Sequence, residues 1–206
     1  MKKRDTILLP IILFVVLVLV FAPSQKYVRR LLHIPKLIYV VENSDSELLG
    51  LLLDESSFTN NWYWDQVITY QGNHSNSNPN IQEWTNRQLI GYHNGHEVFL
   101  FHTITRYFES IDEIDIKPLA NAIGVESYKD QISISIPQDS TFLPVDCHIG
   151  FDTQETQVTE CILSRKNELT QEKINAVVYG NADIKEVSQM IRNMVLFLDN
   201  KEAVVQ

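Results

Sequence analysis

The chain has 206 residues, 44% hydrophobic and 21% charged, which is typical of a folded globular protein and allows one domain of ordinary size. The formal net charge is −9, but seven of the 17 basic residues precede residue 37, so residues 37–206 carry 10 basic and 25 acidic residues and a charge of −15. Because such a surface repels phosphate backbones, the composition excludes nucleic acid as a partner.

An apolar segment lies close to the N-terminus. Three basic residues are followed by residues 7–22, which contain no charge, and extension through Val28 brings the segment to the length of a membrane span. We therefore predict a signal anchor at residues 1–28, a single-pass transmembrane helix that places the C-terminal domain outside the cytoplasm. Small residues around Ser24 offer an alternative, in which the chain is cleaved there and secreted. The basic residues that follow Ser24 favour retention.

Residues 29–42 mix basic and apolar side chains, and Pro35 interrupts any helix there. This stretch is interpreted as a juxtamembrane linker, with contact to an anionic lipid surface as an alternative. The extracytoplasmic domain is predicted to occupy residues 43–206.

The first half of the domain carries signals for strands. Residues 46–53 resemble a short apolar helix, and the aromatic and β-branched residues 62–70 favour a strand. Residues 72–80 are polar and typical of a loop. The clearest signal is a hairpin over residues 88–107, because Asn94-Gly95 readily adopts the positive φ angles of a type I′ turn.

The second half ends in an amphipathic helix. A short helix is predicted before Gly124, and apolar residues alternate with serines up to Ile136, as in a half-buried strand. Asp183 and Glu186 have the spacing of a capping box, and the residues after them form one apolar stripe. The predicted fold is therefore α+β: an N-terminal transmembrane helix, then one antiparallel sheet domain packed against a C-terminal amphipathic helix.

Cys147 and Cys161 are predicted to form a disulfide. Apolar residues alternate along the sequence around each cysteine, and a hairpin with a short loop centred on Gln154 would place the two directly opposite each other. Such a bridge requires an oxidising compartment and so agrees with export. Two buried free thiols are the alternative.

Signals for catalysis or metal binding are weak. His93 and His96 flank the hairpin turn and are weak candidates for metal ligands, but they lack a third ligand nearby. The carboxylates at residues 112–115 are typical of a solvent-exposed surface. No motif of a hydrolase or of a phosphate-binding loop is present, so we expect neither catalytic residues nor a cofactor.

Aromatic residues supply the candidate ligand site. Trp62 and Trp64 share one face of a predicted strand and, with Tyr92, are candidates to line a cleft for an apolar ligand, although packing in the core is the preferred explanation for these rings. The sequence thus predicts a non-catalytic domain that binds an envelope protein or a small apolar ligand. The alternative is a hydrolase-type enzyme whose site is assembled from distant residues, with His93, His96 or the carboxylates at 112–115 as candidates.

Overall fold

In the described part of the chain, eight strands form one mixed sheet, with one long helix on one face. The structure is a computed structural model that describes residues 35–41, 47–58, 62–73, 78–111 and 117–205. The order of the strands across the sheet is β1-β2-β3-β4-β8-β7-β6-β5. The elements are β1 (Lys36–Val41), β2 (Trp62–Asn73), β3 (Ile81–His93), β4 (His96–Tyr107), β5 (Val125–Ile134), β6 (Val145–Asp152), β7 (Gln157–Lys166), β8 (Thr170–Tyr179) and helix α1 (Ile184–Val205).

The predicted hairpin is confirmed as β3 and β4. Asn94 and Gly95 occupy its turn with φ values of 50° and 86°, and His93 pairs with His96 at the first position of the ladder. Positive φ at both central residues matches the right-handed twist of the strands, which is why this dipeptide fixes the register of the pair.

The predicted disulfide is confirmed on the hairpin of β6 and β7. Cys147 pairs directly with Cys161, and the two sulfurs are bonded. In the turn, Asp152 Oδ1 accepts hydrogen bonds from the backbone N–H groups of Gln154 and Thr156, each at 2.8 Å. Both cysteines are completely buried, so the bridge lies within the core rather than at the surface.

Helix α1 covers the face of the sheet that holds the disulfide. Its first turn is capped by Asp183, whose Oδ1 accepts from the backbone N–H of Lys185 at 2.9 Å. The predicted apolar stripe packs into the main core cluster, which also contains Cys147 and Cys161. The buried apolar residues of α1 are Val187, Met190, Ile191, Met194, Val195 and Leu198.

The opposite face of the sheet carries a smaller cluster. A short 3₁₀ turn, Ala120–Ile123, lies over this face and is followed by Gly124 at φ 77°. Val158 and Val177 are the fully buried strand residues beneath it. The sheet is therefore covered on both sides, although the long helix lies on one side alone.

The predicted antiparallel sheet is wrong, because the sheet is mixed. Strand β1 runs parallel to β2, with Lys36 beside Gln66 and Val41 beside Gln71. Parallel neighbours need a crossover connection, and its described part contains the 3₁₀ turns Glu47–Leu51 and Glu55–Ser57. The structure also places Lys36–Val41, assigned above to the linker, inside the sheet.

The predicted fold class also included a transmembrane helix, and the part of the chain that the structure describes contains none. Residues 1–28 lie outside the described residues. Within the described part of the chain, no helix is long and apolar enough to cross a membrane. Helix α1 has 22 residues, but charged side chains such as Glu186 and Arg192 recur along its exposed face.

Candidate functional site: a groove beside the helix

A groove of about 560 Å³ lies between α1, the adjoining ends of β2 and β3, and the segment 53–58. This volume is within the range of small-molecule sites in proteins. The described residues that line it are Leu53, Ser57, Phe58, Trp62, His93, Asn94, Glu186, Gln189, Met190, Asn193, Met194, Leu196 and Phe197.

A stack of rings forms the sheet side of the groove. Trp62 lies against His93, with ring centroids 4.2 Å apart and planes inclined by 21°, and against Trp64 at 5.0 Å and 22°. Phe58 packs on both indoles, at 4.7 Å from Trp62 and 5.0 Å from Trp64. These contacts fix the rings in place, so the wall is rigid and apolar before any ligand arrives.

The helix side combines apolar and polar side chains. Met190, Met194 and Phe197 face the groove, and Leu196 lies at its margin with 47% of its surface exposed. The thioethers suit a site for irregular apolar groups, because methionine adapts its shape at little cost. The groove therefore has two apolar walls on different elements.

Polar side chains of α1 mark the rim. The side-chain amide of Gln189 donates to Asn193 Oδ1 at 2.8 Å. Glu186 also lines the groove; its side chain is 48% exposed, and its Oε2 lies 4.0 Å from His96 Nε2. Among the described lining residues, Glu186 is the one that carries a full negative charge, and none is Lys or Arg.

The floor of the groove is Leu53, which is 1% exposed. Its backbone N–H donates to His102 Nδ1 at 2.9 Å, and its carbonyl accepts from Arg87 Nη1 at 3.1 Å. Both partners belong to the sheet, so two hydrogen bonds to side chains hold this loop residue against the strands.

A buried ionic network continues from His102. Its Nε2 lies 2.7 Å from Glu172 Oε1, and Arg165 Nε donates to Glu172 Oε2 at 2.6 Å. Burial favours a higher pKa for Glu172, but the interactions of its carboxylate with His102 and with the Arg165 guanidinium outweigh burial and hold that pKa below its usual value. Glu172 is therefore an ionised carboxylate inside the protein.

The predicted ligand-site residues fall in two places. Trp62 lines the groove and Trp64 packs behind it, whereas Tyr92 lies on the other face of the sheet, where it stacks on Tyr63 at 6.3 Å. The helix residues that complete the groove, such as Met190 and Phe197, were not among the predicted site residues. Their apolar spacing was visible, but it does not distinguish a wall of a groove from the core.

The weak metal candidates lie close together, at the end of the β3–β4 hairpin. His93 and His96 are paired across the hairpin end. Within the part of the chain that the structure describes, no group of three His, Cys, Asp or Glu side chains is arranged to hold a metal ion. Residues 112–115, the carboxylate candidates, lie outside the described residues.

A second buried carboxylate, Glu160, lies on the other face of the sheet. Asn175 donates to its Oε1 at 2.5 Å, the backbone N–H of Leu119 donates at 2.9 Å, and the Tyr128 hydroxyl donates to Oε2. Burial and the hydrogen bond to Glu160 raise the pKa of Tyr128, which keeps this hydroxyl protonated as a donor. The cluster joins three strands to the segment 117–119.

Removal of the Tyr128 hydroxyl tests that role. Tyr128→Phe is expected to lower the free energy of unfolding by about 2 kcal/mol, because Glu160 loses a donor to its buried charge. Tyr179→Phe is the matched control: it loses a bond to the neutral carbonyl of Ile123 and is expected to cost about 1 kcal/mol. Urea denaturation of both variants measures the two losses in free energy of unfolding. A larger loss for Tyr179→Phe than for Tyr128→Phe would contradict the expectation.

Comparison of the chain with protein-family models, with curated proteins and with solved structures found no significant match. The geometry of the groove is therefore the basis for assigning a function.

Proposed function

We propose that this is an exported, non-catalytic binding domain that holds a small apolar ligand in the groove between α1 and the sheet. The observation that carries the proposal is the groove itself, whose rigid aromatic wall of Phe58, Trp62 and His93 faces the methionines of α1. A preformed apolar concavity with few polar groups at its rim is the usual form of a small-molecule site.

Two features support export from the cytoplasm. The disulfide between Cys147 and Cys161 is of a kind that persists in oxidising compartments. The uncharged residues 7–22, which follow three basic residues, are typical of an export signal.

The charge of the rim narrows the ligand class. Glu186 lies at the end of the groove, and residues 37–206 carry a formal charge of −15. An anionic ligand would be repelled both locally and by the domain as a whole. The ligand is therefore apolar and either neutral or positively charged.

The rival hydrolase-type enzyme has less support. Ser57 is the one hydroxyl among the described lining residues, and it is part of a capping box: it donates to Asp54 Oδ1 at 3.0 Å and accepts from the N–H of Asp54 at 3.0 Å. His93, the histidine of the groove, stacks on Trp62. The serine and the histidine are thus each committed to other contacts, which favours a binding site over a nucleophile and its base.

Titration with the neutral dye Nile red, followed by its fluorescence, tests the proposal. Asn193 is exposed on the helix wall, and Asn193→Trp fills the groove with its own ring, so we expect binding at least about tenfold weaker than that of the wild type. Lys185→Trp is the matched control, since Lys185 is exposed on the same helix but outside the groove. Equal affinity in the wild type and Asn193→Trp would contradict the proposal.

A further inference from the structure

We propose that His102 is the positioning residue of the groove, which it shapes without lining it. This inference rests on the proposed function, because it concerns the floor of the same site. His102 is completely buried on β4 and acts through Leu53, whose side chain closes the inner end of the groove.

The hydrogen bonds of His102 fix its tautomer. Because Nδ1 accepts from the backbone N–H of Leu53, the proton of the neutral ring is on Nε2, which lies 2.7 Å from Glu172 Oε1. Arg165 holds Glu172 from the other side. Rotation of the imidazole would break the contacts at both ends, so the ring has one orientation.

The position of the groove floor depends on the His102 ring, because Leu53 lies in a connection between strands and not within a strand. Its carbonyl is held by Arg87, which also donates from Nε to Thr69 Oγ1 at 3.2 Å. The chain continues from Leu53 through the 3₁₀ turn Glu55–Ser57 to Phe58, a wall of the groove. Displacement of the Leu53 peptide therefore moves both the floor and the start of the aromatic wall.

Two substitutions of His102 test the contacts of the two imidazole nitrogens separately. In His102→Asn, the side-chain oxygen can take the place of Nδ1 and accept from Leu53. In His102→Gln, the longer amide can reach Glu172 but leaves the N–H of Leu53 without that acceptor. If His102 positions the floor, Nile red binding falls about tenfold in His102→Gln and stays within about twofold of the wild type in His102→Asn.

A stability control accompanies this pair of variants. Val177→Ala removes buried methyl groups on the other face of the sheet, and it is expected to destabilise the protein while leaving Nile red affinity unchanged.

If His102→Asn and His102→Gln lose affinity equally, His102 has a structural role alone and the inference is overturned.

Hydrogen exchange at the Leu53 amide, measured by NMR, does not need a ligand. Exchange is expected to be slow in the wild type and in His102→Asn and about tenfold faster in His102→Gln. Loss of this contrast overturns the positioning role. Absence of Nile red binding by the wild type overturns the proposed function instead, so the two failures are distinguishable.

Discussion

Replacement of Glu172 by Gln is expected to lower the free energy of unfolding by about 3 kcal/mol near neutral pH. Glu172 is buried between Arg165 at 2.6 Å and His102 at 2.7 Å. The substitution keeps the size of the side chain but removes its charge, so the Arg165 guanidinium loses its ionic contact at 2.6 Å, while Asp199 stays at 3.6 Å. Removing one member of a buried ion pair destabilises the protein by more than the intact pair stabilises it, because the other charge stays desolvated.

The cost of Glu172→Gln should depend on pH in a defined direction. The pKa of Glu172 is lower in the folded protein than in the unfolded chain, so its contribution is full above the unfolded value of about 4.3 and is lost as the pH falls through the folded value. The stability difference between the variant and the wild type therefore shrinks in acid.

Urea denaturation across this pH range checks the expectation. Glu126→Gln, at an exposed position of β5, is the matched control and should change stability by less than about 0.5 kcal/mol. A difference between Glu172→Gln and the wild type that stays constant or grows on acidification would contradict the account.

The double variant Cys147→Ala with Cys161→Ala is expected to lose about 3 kcal/mol of stability. The two residues are separated by 14 positions, so the bridge closes a loop of intermediate length and restricts the unfolded chain accordingly. Because the bridge is completely buried beneath α1, it should also resist reductants while the protein stays folded.

Urea denaturation of the double variant, and of the wild type with and without reductant after unfolding, measures this effect. The reduced wild type and the double variant should have similar unfolding midpoints, since both lack the same constraint. A loss below about 1 kcal/mol in the double variant would show that the bridge contributes little to the fold.

Features formed between neighbours in sequence were predictable. The turn at Asn94-Gly95 fixes one hairpin, and the short loop after Asp152 sets the register that joins Cys147 to Cys161. In both cases the pairing follows from turn chemistry and from the alternation of side chains, which act over a few residues.

Features formed between distant segments were not predictable. Lys36–Val41 resembles a linker because it follows Pro35 and basic residues, and its pairing with β2 depends on a crossover of about twenty residues whose path no local pattern sets. The groove likewise needs Trp62 and Met190 to meet across the fold. The alternation of side chains along a strand placed Trp62 and Trp64 on one face of the sheet. The same alternation places Tyr92 on the opposite face.

The most direct test of the binding groove is an NMR titration of the wild type with Nile red, followed at the three indole N–H resonances of the chain. The indole of Trp62 lines the groove, whereas Trp84 pairs opposite Gly72, roughly 30 Å away along the sheet. We predict a saturable shift of the Trp62 resonance with Trp84 unchanged. Equal shifts of Trp62 and Trp84, or a shift of Trp84 alone, would contradict the assignment of the groove as the ligand site.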